Sequence, residues 1–118
     1  MQYLLLIYLE ETGWQELSDP EQQKVYAQYR DLIGDLQTQG KFLGGNELKP
    51  TSAGSRVQFR NGEKSVTDGP FAETKEQLGG YFLVEARNLD EAIGIAERIP
   101  SATVGSIEVR PVVPRQAS

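Results

Sequence analysis

Gln2 to Leu9 is apolar at nearly every position and shows no apolar-polar alternation. A strand with one wet face alternates; one that does not is shielded on both sides. Gly80 to Ala86 reads the same way, as a second central strand. A fold that holds these two strands must cover both faces of their sheet, and the rest of the chain limits what is available to do so.

Helical periodicity is confined to two segments. Ser18-Asp19-Pro20-Glu21 reads as a capping box, with Pro20 in the first turn where its missing N–H costs nothing. Behind it Val25, Tyr26, Tyr29, Leu32, Ile33 and Leu36 form one apolar stripe, and Gly40 can close the helix in the left-handed conformation. Tyr26 and Tyr29 lie on the buried side, so their hydroxyls need partners or the edge of a cavity. Asn88 can cap a second, shorter helix whose buried side is Leu89, Ala92, Ile93, Ala96 and Ile99, with Pro100 as its stop. Glu10 to Leu17, which holds the sole tryptophan, Trp14, reads as a connector.

Between the helices, Phe42-Leu43 starts a short strand that meets Gly44-Gly45, where a second backbone or a ligand can approach closely; Asn46 and Glu47 follow. Asn61-Gly62 is a strong signal for a two-residue hairpin turn of type I′. Counting from it, Arg60 faces Glu63, Phe59 faces Lys64 and Val57 faces Val66, and the opposite-charge and apolar pairs both favour that register. Ser106 to Val112 alternates, with Ile107 and Val109 on one face and Ser106, Glu108 and Arg110 on the other.

The order is therefore strand, helix, strand and hairpin, strand, helix, strand. This is the α+β, ferredoxin-like βαββαβ plan with an inserted β-hairpin, expected as a single domain over residues 1–113 with a tail at 114–118. Two helices cover one face of such a sheet. The other, built from Leu5, Ile7, Phe82 and Val84 or their alternates, would expose more apolar area than a monomer normally does, which predicts a homodimer whose sheets pack together.

Composition removes several chemistries. With no cysteine and no histidine among 118 residues, only oxygen side-chain ligands are left for a metal, and no cofactor is expected. Residues 1–9 lack a basic leader and are far short of the ~20 apolar residues of a membrane span. A soluble, cytoplasmic protein is expected, with no membrane partner. The net charge is −5, and residues 1–50 carry 8 acids against 4 bases while residues 51–118 carry 9 against 8. No basic face follows from that balance, so no nucleic-acid partner is expected. Neither a Gly-x-Ser-x-Gly elbow nor a phosphate-binding glycine loop is present.

The densest chemistry lies in Thr67-Asp68-Gly69-Pro70-Phe71-Ala72-Glu73-Thr74-Lys75-Glu76-Gln77-Leu78-Gly79-Gly80-Tyr81. Asp68 is placed to brace the Gly-Pro turn as an Asx-type cap, or to present its carboxylate to a ligand. Crowded carboxylates raise one another's pKa and a nearby cation lowers it, so Asp68, Glu73 and Lys75 are candidate catalytic residues. The same charges would also suit a solvated surface segment, and Glu108 with Arg110 a structural ion pair. Tyr8, Trp14, Phe71, Glu108 and Arg110 are candidate ligand-binding residues.

This stretch resembles the signature of the DGPF branch of the YCII-related proteins. The likeness extends to Tyr3-Leu4-Leu5-Leu6-Ile7-Tyr8 and to Gly105-Ser106-Ile107-Glu108-Val109-Arg110-Pro111, nearly the whole chain. The resemblance implies the dimeric α/β-barrel superfamily, whose members tend to hold small molecules between sheet and helices or between subunits. The YCII branch is similar to small enzymes such as muconolactone isomerase and a dechlorinating hydroquinone enzyme, and its proposed site is a histidine and aspartate pair. A chain without histidine cannot use that pair. Two function classes follow. In one, the protein is a small-molecule enzyme of proton transfer or elimination, with Asp68 or Glu73 as base and Lys75 or Arg110 steadying negative charge. In the other it is a non-catalytic ligand-binding or interaction module, since family members are encoded beside, or fused to, sigma factors. A third reading makes the signature a dimer-building loop.

Overall fold

The computed structural model describes residues 1–70 and 74–115. Phe71 and Glu73, both expected at the site, lie outside the described residues, as do residues 116–118. The elements are β1 (Gln2–Leu9), α1 (Glu11–Gln15), α2 (Asp19–Thr38), β2 (Phe42–Glu47), β3 (Ser55–Arg60), β4 (Glu63–Asp68), β5 (Gln77–Glu85), α3 (Leu89–Glu97) and β6 (Ser106–Pro111). Short 3-10 turns lie at Thr51–Ala53 and Pro100–Thr103.

β1 and β5 are the two inner strands of a four-stranded antiparallel sheet in the order β2-β5-β1-β6. This is the ferredoxin-like arrangement expected from the two apolar runs. Their alternate residues part cleanly. Tyr3, Leu5, Ile7, Phe82 and Val84 are buried against Leu32 and Leu36 of α2 and Ala92, Ile95 and Ala96 of α3. Leu4, Leu6, Tyr81 and Leu83 point the other way and are only half-buried.

The local signals act as their chemistry requires. Ser18 and Glu21 close a reciprocal capping box at the start of α2. At its end the Gly40 amide donates to the Gln37 carbonyl and the Lys41 amide to the Leu36 carbonyl, with Gly40 at φ +70°, which is a Schellman ending. Asn88 Oδ1 caps α3 by accepting from the Glu91 amide at 3.0 Å. Asn61 and Gly62 both have positive φ, 52° and 79°, and β3 pairs with β4 in the register Arg60–Glu63, Phe59–Lys64 and Val57–Val66.

Two expectations need correction. The segment Glu10 to Leu17 is not a plain connector, because Glu11–Gln15 forms the short helix α1. The buried side of α3 uses Ile95, whereas Leu89 and Ile93 are 47% and 39% exposed. α3 is rotated so that Ala92, Ile95 and Ala96 are buried, and Ile93 borders a shallow hollow with Ile107 and Val109.

Candidate functional site

Between the sheet and the α1–α2 corner lies a cleft of about 620 Å³, a volume that suits a small organic ligand. Its floor is Ile7, Leu9 and Phe82 on the helix-facing side of the sheet, and its walls include Trp14 of α1 and Val25, Tyr26, Tyr29 and Ile33 of α2. The end of β2 and its exit, Gly45 to Pro50, form the rim.

The cleft exists because of how its corners are tied. The β1–β5 register slips between Ile7 and Tyr8, so that Ile7 pairs with Gly80 and Tyr8 with Leu78, leaving Gly79 as the extra residue of a bulge. Beyond the bulge, Gln77 Oε1 accepts from the Glu11 amide at 3.0 Å and anchors the first turn of α1 to β5. Glu11 then accepts from the Thr51 amide at 2.7 Å and from the Thr51 hydroxyl at 3.1 Å, fixing the loop after β2 across the same end. On the other side Gln22 Nε2 donates to the Trp14 carbonyl at 3.0 Å. Trp14 meets Tyr26 edge-on, with ring centroids 5.4 Å apart, and Tyr29 and Phe42 each meet Phe82 in the same manner at 6.0 and 5.2 Å.

Two tyrosine hydroxyls enter this apolar space. The Tyr26 hydroxyl donates to Glu47 Oε1 at 3.1 Å, joining α2 to the end of β2. The Tyr29 hydroxyl and the buried Ser101 hydroxyl are 2.7 Å apart. Burial pushes the pKa of both tyrosines up, and the Glu47 carboxylate adds to the rise at Tyr26. Both hydroxyls therefore stay protonated at physiological pH, and among the described residues Glu47 Oε2 accepts no hydrogen bond.

The residues singled out in the sequence distribute as follows. Trp14 lines the cleft. Tyr8, Glu108 and Arg110 lie on the opposite, helix-free face of the sheet, where Tyr8 pairs with Ser106, Glu108 with Leu6 and Arg110 with Leu4. Glu108 and Arg110 share no ion pair. Asp68 is exposed at the base of the hairpin, where Ser55 Oγ donates to it at 3.5 Å. Lys75 is 86% exposed and lies 3.8 Å from Glu10 Oε1. Asp68 and Lys75 do not line the cleft, but Gln77, Gly79 and Gly80, the end of the same signature stretch, do. Glu47 was missed as a site residue. Its signal was its place two residues beyond Gly44-Gly45, combined with a buried-face tyrosine in need of a partner.

Among the described residues no group of three or more carboxylates is placed to hold a metal, and no helix is long and apolar enough to cross a membrane. The sequence profile of the YCII-related domain matches residues 1–116. The chain belongs to the YCII-related family. An uncharacterised protein of Rhizobium meliloti (strain 1021) is 37% identical over 114 residues, which is 95% of this chain and 92% of the relative. The chain itself contains no histidine.

Proposed function

We propose that this YCII-related protein is a small-molecule enzyme of proton transfer, with the sheet–α2 cleft as its site and Glu47 as its base. The observation that carries this reading is the 3.1 Å hydrogen bond from Tyr26 to Glu47 at the rim of a cleft with an apolar floor and aromatic walls. The tyrosine orients the carboxylate through one oxygen. The second oxygen can then take a proton from a bound molecule. The apolar walls hold the ligand body and lower the local dielectric, which strengthens both interactions. The likeness of Asp-Gly-Pro-Phe and its sequel to the DGPF branch supports this placement, since the end of that stretch forms part of the cleft wall.

A panel of small metabolites is tested by thermal shift and Trp14 fluorescence, and hits are assayed for turnover. Glu47→Gln is expected to abolish turnover while binding persists, and Asp68→Asn to leave turnover intact. Loss in Asp68→Asn with full activity in Glu47→Gln would move the chemistry to the signature loop. Saturable binding without turnover of any hit would favour the non-catalytic, ligand-sensing module, for which a sigma-factor system is the partner to try in a pulldown.

A further inference from the structure

The cleft lining contains two carboxylates, Glu11 and Glu47, and two cations, Arg30 and Lys49. Their situations differ. Glu11 is engaged by the Thr51 amide and hydroxyl, and Glu47 by the Tyr26 hydroxyl. Arg30 and Lys49 take part in no ion pair among the described residues, whose salt bridges use Lys41, Lys75, Arg87, Arg98 and the N-terminus instead. Arg30 reaches the cleft from α2 and Lys49 from the loop after β2.

Resting on the cleft as the site, we propose that its ligand is a small organic carboxylate with a flat, unsaturated or aromatic body, the anion held by Arg30 and Lys49 and the body by Trp14, Tyr26 and Tyr29. An arginine and a lysine without intramolecular partners bind a carboxylate through charge-assisted hydrogen bonds, which are about twice as strong as neutral ones. Edge-on aromatic walls prefer a ring or a conjugated chain to a branched alkane. Arg30 lies one helical turn beyond Tyr26 on α2, and Lys49 two residues beyond Glu47, so the carboxylate is held beside the proposed base.

The test compares phenylacetate and 4-hydroxyphenylacetate with the corresponding neutral amides, reading affinity by calorimetry and location by the fluorescence of Trp14, the sole tryptophan. The carboxylates are expected to bind at least about tenfold more tightly than the amides. In the double variant Arg30→Gln/Lys49→Gln the two should bind alike, and added salt should weaken the acids more than the amides. Both cations are exposed, so the double variant should fold normally, which far-UV circular dichroism checks. Equal affinity of acids and amides, with Trp14 responding to both, overturns the anion inference and leaves the cleft standing. Binding detected by calorimetry with no response from Trp14 overturns both. Absence of binding by every carboxylate in a series of increasing ring size also overturns the proposed class.

Discussion

At the scale of single residues, Tyr26 and Tyr29 form one pattern with two purposes. Each sits on the apolar face of α2 and must find a partner for its hydroxyl. Tyr26 finds an exposed carboxylate at the rim, where the proposed chemistry would lie, and Tyr29 finds buried Ser101. For the second pair a double-mutant cycle in urea gives the signature. Tyr29→Phe or Ser101→Ala alone strands a buried hydroxyl and should cost about 1–3 kcal/mol, and the double variant should cost less than the sum of the two. The same pair sets an alkaline limit. Burial raises the folded pKa of Tyr29 above the ordinary 10.0, so the unfolded chain ionises first. Stability is then full below about pH 10 and is lost as pH rises through the folded value. Tyr29→Phe should flatten that alkaline fall in denaturation midpoint; an unchanged fall would mean that other groups cause it.

At the scale of elements, the hairpin and α1 mark the two ends of what local sequence can encode. The β3–β4 register follows from Asn61-Gly62 and three facing pairs, all within fourteen residues of chain, and every one of those pairs is present. α1 was not legible, because five residues containing Gly13 and Thr12 have poor intrinsic helix propensity. What holds it is non-local: Gln77 at its first turn, Glu11 on Thr51, and Trp14 on Tyr26. The cleft was half-legible for the same reason. Tyrosines needing partners and the Gly-Gly opening before Glu47 were visible, but their juxtaposition depends on how α2 lies across β2. The hairpin pairs with no strand of the main sheet, and its face carrying Val57, Phe59 and Val66 is 57%, 70% and 54% exposed. A two-stranded ribbon of this kind is marginal in water. Its amides should therefore exchange with solvent far faster than those of β1 and β5 in dilute solution. Protection equal to that of β1 would show that something covers this face.

At the scale of the whole molecule, the chain spans 49 × 47 × 18 Å, the thin dimension being one layer of helices on one sheet. All three helices lie on or beside the face of Leu5 and Phe82, and none covers Leu4, Leu6, Tyr81 and Leu83. We infer that a second copy packs on that half-buried apolar face, placing Tyr8, Glu108 and Arg110 at the interface rather than in the cleft. Sedimentation equilibrium should return a dimer, and Leu6→Arg, at the centre of the face beside Tyr81 and Glu108, should yield monomers. A wild-type monomer at high concentration would contradict that arrangement. Amide chemical-shift mapping during a phenylacetate titration locates the ligand on the fold. With the ligand in the cleft, shifts are expected to concentrate at Trp14, Tyr26, Gly45, Glu47, Gly79 and Gly80. Shifts concentrated instead at Asp68, Thr74 and Lys75, or on Leu4, Leu6 and Leu83, would contradict it.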